Sequence, residues 1–438
     1  MRRNPIWSLA VGALVLLAVL PRILSRAAAS KELAASEKVI YTFSGGDDGA
    51  GPISHLILDS AGNLYGTTST GGTGTACGLG YGCGTVFELK HTNDGWKKQV
   101  LYSFQSGDDG AFPQAGLVFD AAGNLYGTTS SGGGSEGPGT VFKLMPTSKG
   151  GTESVIYRFT FEGSSGTSPS SDLTIDAQGN LYGTTAQFGD LECPEVDCGT
   201  VFELIPHSDG TWLESTIHQF AGGPGDGAMP SSGIVLDSAG NVYGLTNAGG
   251  AGKCDAVSGQ PGCGIAYKLT PGDGTWTETV LYSFARGGGR AVNPSAGVIL
   301  DRAGLLFGTT GAGGDGEGTV FTLNQSKKGW DQTVIHRFYG NPDGIGPAGQ
   351  LTRDGQGNLF GVTVAGGLSR YNGMVFELYR ASGDWKERVV HQFAGGADGE
   401  NPEAGLVSDG HGHLYGTTFR GGLTTCPGGC GTVYEITP

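Results

Sequence analysis

Gly116-Leu-Val-Phe-Asp-Ala-Ala-Gly-Asn-Leu-Tyr-Gly-Thr-Thr129 reads as a strand, a tight turn and a second strand. Asp120 can accept hydrogen bonds from the amides ahead of it, and Gly123 can take a positive φ. The flanking segments are rich in Leu, Val and aromatics, which suits a pleated hairpin. The stretch recurs. Its turn glycines are Gly62, Gly123, Gly179, Gly240, Gly304, Gly357 and Gly412, spaced 53 to 64 residues apart. Seven copies of one supersecondary unit indicate a repeat architecture.

Each hairpin is followed by a variable Gly-rich loop and a third strand of the type Gly84-Thr-Val-Phe-Glu-Leu89. A fourth strand then ends in Phe, as in Val100-Leu-Tyr-Ser-Phe104, and a loop follows that ends in a proline: Pro52, Pro113, Pro169, Pro230, Pro294, Pro347 or Pro402. Four-stranded units repeated radially make a β-propeller. A solenoid is the rival, and it would want a capping repeat at each end. Here the last repeat stops at Thr432-Val-Tyr-Glu-Ile436 without a fourth strand, while Val39-Ile-Tyr-Thr-Phe43 is a fourth strand without a blade. The expectation is an all-β, seven-bladed β-propeller of four-stranded blades. It closes by pairing the N-terminal strand with the last blade, which leaves no free sheet edge there.

These repeats resemble the GloVer tandem repeat of the choice-of-anchor proteins and, more distantly, NHL-type propeller repeats. The resemblance spans about residues 39–438. It implies an exported bacterial protein and carries no reaction or catalytic residues.

The N-terminus fits export. Arg2 and Arg3 precede an apolar run from Ile6 to Leu20, then Pro21 and Ala27-Ala28-Ala29. Residues 1–29 therefore read as a signal peptide, with an uncleaved anchor as the alternative because Arg22 and Arg26 follow the run. Residues 30–38 read as a linker and 39–438 as the propeller. No cysteine precedes Cys77, and no apolar tail precedes Pro438, so no lipid or C-terminal anchor is expected. A net charge of −15 argues against nucleic acid and anionic membrane as partners.

Eight cysteines form local pairs, Cys77/Cys83, Cys193/Cys198, Cys254/Cys263 and Cys426/Cys430, and repeats with short loops lack both members. Cysteines gained and lost in pairs in an exported chain read as disulfides. None of the pairs has zinc-finger spacing, so no metal site is expected there. Asp48, Asp109, Asp226, Asp343 and Asp398 stand before Gly in the loop ahead of the proline. They read as turn formers, with a carboxylate ring for Ca²⁺ or a cationic or sugar ligand as the alternative. Ser165 and Arg290 replace them in two repeats. His218, His336 and His391 replace Tyr in fourth strands and read as packing residues.

His55 sits three residues after its proline, where four other repeats have Gly and two have Asp172 and Gln350. With Glu403 and Arg290, these are the candidate binding residues at a channel mouth. No catalytic constellation is complete. The expected function is an extracellular or periplasmic binding or scaffold module, monomeric and without a cofactor, with a protein or carbohydrate partner at the cell surface. The membrane would be met only through an uncleaved N-terminal segment. The alternative is a carbohydrate-active or lactonase-like enzyme with its site at the channel mouth. Both loop sets, being on alternate strand ends, should emerge on one face.

Overall fold

The computed structural model describes residues 35–438, apart from 79–81, 135–136, 162–164, 188–197, 231, 255–260 and 315. The expected signal segment, the start of the linker and Cys193 fall outside these residues. Among the described residues the chain forms seven antiparallel blades of four principal strands and no α-helix. Blade 1 is Ile57–Leu58, Leu64–Thr68, Thr85–Thr92 and Gly95–Ser103. Blades 2 to 6 span 118–158, 174–219, 235–283, 299–337 and 345–392. Blade 7 takes Val407–Ser408, Leu414–Thr418 and Thr432–Thr437 from the C-terminal end of the chain and Ser36–Thr42 from the N-terminal side.

The opening hairpin forms because its Asp saturates the turn. Asp59 Oδ1 accepts the amides of Ala61 and Asn63 at 2.8 and 2.9 Å, and Oδ2 accepts the Asn63 side chain at 2.8 Å. Two departures from this pattern are compensated. His413 replaces the Asn and keeps the bond through Nδ1, 2.7 Å from Asp409 Oδ2. The Leu305 side chain cannot donate, and Arg353 of the next blade reaches Asp301 Oδ2 at 3.4 Å instead.

Blades are joined by one contact type used seven times. The Phe that ends each outer strand packs edge-on against the third-strand aromatic of the next blade. Phe43–Phe87, Phe104–Phe142, Phe159–Phe202 and Phe220–Tyr267 have centroids 5.1 to 5.3 Å apart. Phe284–Phe321, Phe338–Phe376 and Phe393–Tyr434 lie at 5.0 to 5.2 Å. Phe43 belongs to blade 7 and Phe87 to blade 1, so this contact also joins the last blade to the first.

The mouth proline explains the glycine at the start of each third strand. A Cβ on Gly84 (φ +95°) would lie 2.5 Å from Pro113 Cδ and 2.6 Å from the Thr68 carbonyl, so the proline ring of the next blade occupies the space a side chain would need. The residue before that proline turns into the left-handed region, including the non-glycines Phe112, Ser168, Met229, Asn293 and Asn401. Its amide then donates back to the preceding blade, as Phe112 does to Cys83 at 2.9 Å.

Ser36–Thr42 pairs antiparallel with the last strand, Val39 facing Tyr434 and Thr42 facing Thr432. The strand begins at Ser36, which corrects the linker boundary. Residues 36–38 are strand because the last strand continues to Thr437 and offers them partners.

Candidate functional site

The innermost strands enclose a channel cavity of about 710 Å³, lined by all seven blades. Around it runs the ring of residues three after each proline: His55, Gly116, Asp172, Gly233, Gly297, Gln350 and Gly405. The glycines are what let the larger members meet. His55 reaches over Gly116 to Asp172, with Nδ1 3.4 Å from Oδ2. A Cβ on Gly116 would come within 2.9 Å of both side chains. On its other side His55 Nε2 is 3.2 Å from the Leu406 carbonyl of blade 7. The Gly116 amide donates to Asp172 Oδ1 at 2.5 Å, and the Gln350 amide group donates to the Val298 carbonyl at 2.7 Å.

Burial works to lower the His55 imidazole, but Asp172 outweighs it and the group ends above its ordinary value. Asp172 is held low by His55 and the Gly116 amide against the desolvation that would raise it. The two brace each other across three blades. Glu403 lines the same cavity. Its carboxyl is pushed up by burial and partly drawn back by Arg420. The structure thus brings together His55, Asp172, Gln350 and Glu403. It leaves Arg290 apart, exposed on the loop between blades 4 and 5, where its carbonyl accepts the Gly314 amide at 2.9 Å.

The five Asp of the Asp-Gly loops do not converge. Each sits at its own blade junction with one oxygen on a backbone amide. Asp48 takes Ser44, Asp109 takes Gln105, Asp226 takes Ala221, Asp343 takes Tyr339 and Asp398 takes Ala394, all at 2.6 to 2.9 Å. In all but Asp109 the other oxygen faces the Tyr or His of the outer strand. Tyr41 donates to Asp48 at 2.6 Å, and Lys98 of blade 1 reaches the same oxygen at 2.8 Å. Tyr102 donates to the loop-capping oxygen of Asp109 at 2.8 Å. His218, His336 and His391 stand in the Tyr position at the other three. Each also packs edge-on against the Phe two residues on, with centroids 4.5 to 4.8 Å apart. The third member of each junction comes from the next blade and was missed in the sequence, because it lies 44 to 60 residues from the other two or, for Glu37, at the opposite end of the chain. For Lys98, Glu278 and Glu387 the signal is the position two after the Trp of the outer strand, as in Trp276-Thr277-Glu278.

The loops before the prolines and the loops between second and third strands share one face. They bridge one another at Ala50/Thr70, Ala111/Ser131, Thr167/Gln187 and Glu400/Arg420, and at Ala228/Ala248, Val292/Ala312 and Ile345/Ala365. Disulfides Cys77–Cys83, Cys254–Cys263 and Cys426–Cys430 tie loops on this face.

Cys198, the fourth cysteine that directly precedes a third strand, is disulfide-bonded as well. It is fully buried in the cluster that holds Val201, Phe220 and Ile234. The bond to Cys193 that the sequence suggests is not placed, because Cys193 lies outside the described residues. The burial of Cys198 matches that of Cys83, Cys263 and Cys430 before the other third strands.

Among the described residues, five of nine exposed large hydrophobics lie on the loop face: Phe161, Tyr339, Leu368, Tyr371 and Leu423. Tyr339 and Tyr371 are 69% and 72% exposed, on neighbouring junctions.

The Gloeobacter/Verrucomicrobia repeat, as a family sequence pattern, matches residues 31–258 and 254–438. The chain belongs to this repeat family. No curated protein matches it in sequence. Among solved structures, this repeat-family chain is similar to the extracellular domain of a protein described as a one-component system from B. thetaiotaomicron. That match has 14% identity and a TM-score of 0.51, and covers 92% of this chain and 42% of the other. It is also similar to a Bacteroides uniformis protein described as a 6-phosphogluconolactonase (12% identity, 81% and 88% covered, TM-score 0.49). A third is PorZ, a surface component of the type-IX secretion system of Porphyromonas gingivalis (12% identity, 90% and 47% covered, TM-score 0.49). At these identities the likeness speaks to the propeller fold alone.

Proposed function

We propose that this repeat-family propeller is an exported, non-catalytic binding module whose loop face holds a protein or carbohydrate ligand. The observation that carries this is the exposed set Phe161, Tyr339, Leu368, Tyr371 and Leu423 on the face where the loops vary and the disulfides lie. Large apolar groups left in water on a rigid scaffold are characteristic of contact surfaces. Disulfides fit an oxidising compartment. The channel supports binding better than turnover: both His55 ring nitrogens are engaged within the fold, which leaves neither as a base.

The test is a glycan array together with a surface-protein pull-down, using the full chain. Tyr339→Ala with Tyr371→Ala should weaken the strongest hit by about 30-fold, the scale of a buried aromatic anchor. Met145→Ser with Leu213→Ser, on the opposite face, should leave it unchanged. Equal loss in both variants, or loss only in the second, would reject the loop face as the site.

A further inference from the structure

Three of the seven blade junctions share a chemistry that the other four lack. His218, Asp226 and Glu278 meet between blades 3 and 4, His336, Asp343 and Glu387 between blades 5 and 6, and His391, Asp398 and Glu37 between blades 6 and 7. In each, one imidazole nitrogen and one oxygen from each carboxylate all lie within 4.8 Å of one another. The geometry assigns these three clusters as binding sites for a divalent first-row metal ion, zinc foremost, each clamping two adjacent blades.

Four observations carry this. First, the spacing fits. Two ligands about 2.1 Å from a tetrahedral ion stand about 3.4 Å apart. Nε2 to the Asp oxygen is 3.6, 3.4 and 3.2 Å in the three clusters, while Glu278 Oε1 stands wider, 4.0 Å from His218 Nε2. Second, the ligand atoms are buried and poorly satisfied, each imidazole nitrogen having only ion-pair contacts with the acids of its own cluster. Nε2 of His218, His336 and His391 and Oε1 of Glu278, Glu387 and Glu37 are shut off from solvent and make no hydrogen bond. Buried polar atoms without partners are costly and ask for one. Third, two carboxylates balance the charge of one divalent cation, whereas with no cation they face each other across a single imidazole. Fourth, the ligands are held from behind. The free Asp oxygen takes the amide of Ala221, Tyr339 or Ala394, and the His ring rests on Phe220, Phe338 or Phe393. Such outer contacts orient metal ligands.

The remaining junctions supply an internal control. Tyr102, Asp109 and Glu153 keep both acids but put a phenol in the His position, and that phenol donates to Asp109. A proton donor replaces a lone pair, and the site cannot ligate.

The experiment is zinc stoichiometry on the untagged full chain, stripped with chelator, reloaded and dialysed, read by elemental analysis. Wild type should hold three equivalents. His218→Tyr, His336→Tyr and His391→Tyr should each hold two, and the triple variant none. The triple variant imitates the Tyr102 junction and should keep the far-UV spectrum of wild type. If it does not fold, Glu278→Gln, Glu387→Gln and Glu37→Gln, which preserve shape, should each remove one equivalent. Zinc should raise the melting temperature of wild type and leave the triple variant unmoved. A wild type that retains no zinc, or variants that retain three equivalents, would overturn the assignment.

Discussion

Replacing Phe43 by Ala probes the joint between the two ends of the chain. Phe43 is fully buried, 5.2 Å from the Phe87 ring, and packs in a cluster with Leu56, Leu89 and Val433. Its counterpart in mid-chain, Phe220, is equally buried against Tyr267 at 5.1 Å. Deleting a buried Phe side chain costs about 3–5 kcal/mol once the cavity is counted. A strand near a chain end that merely lies on the surface frays for close to nothing. Because the closing strand makes the same contact as the other six, Phe43→Ala and Phe220→Ala should cost the same within about 1 kcal/mol, the scatter expected from local relaxation. Equilibrium urea unfolding of the two variants gives the comparison. A cost under about 1 kcal/mol for Phe43→Ala beside a full cost for Phe220→Ala would refute the closed ring, since that is the signature of a fraying terminus.

Other consequences follow from single residues. Ser168 sits at φ 56° before Pro169, so Ser168→Gly should gain about 0.5–1 kcal/mol in the same unfolding assay, strain relief of about 1–2 less the entropy of the added glycine. Cys254→Ser with Cys263→Ser opens a loop of sequence separation 9 and should lose about 2–3 kcal/mol by the loop-entropy relation, checked by the same urea midpoint. The His55–Asp172 pair sets a pH dependence. His55 is raised above its ordinary 6.5, so its contribution is complete below that value and fades as pH climbs through the folded value. Asp172 is lowered beneath its ordinary 3.8, so its contribution is present above that and fades as pH falls. The stability gap between wild type and His55→Gln should therefore be widest between these two ordinary values and close on either side. A gap constant from pH 4 to 9 would contradict the pairing.

Local chemistry was legible in the sequence where one short segment contains the whole device. The Asp-x-x-Gly-Asn turn is such a case: donor and acceptor lie within four residues, and the structure repeats the bonds in every blade. Strand count and alternation followed from it, and with them the common loop face. What was hidden needs residues from different blades. Leu305 and His413 look like lapses until Arg353 and the imidazole are seen to supply the missing bonds. His55 and Asp172 are 117 positions apart, and only the glycine between them in the ring lets them touch. The left-handed residue before each mouth proline is hard to see because Phe, Ser, Met and Asn all occupy it, held there by a hydrogen bond from its amide to a carbonyl of the preceding blade.

The central claim is that ligand is held on the loop face. Hydrogen–deuterium exchange on the full chain, with and without the strongest hit from the array, tests it most directly. Protection is predicted in peptides covering 335–345 and 365–374, which carry Tyr339 and Tyr371, with the Asp-x-x-Gly turns at 59–63 and 354–358 unchanged. Protection confined to those turns on the opposite face would contradict the claim.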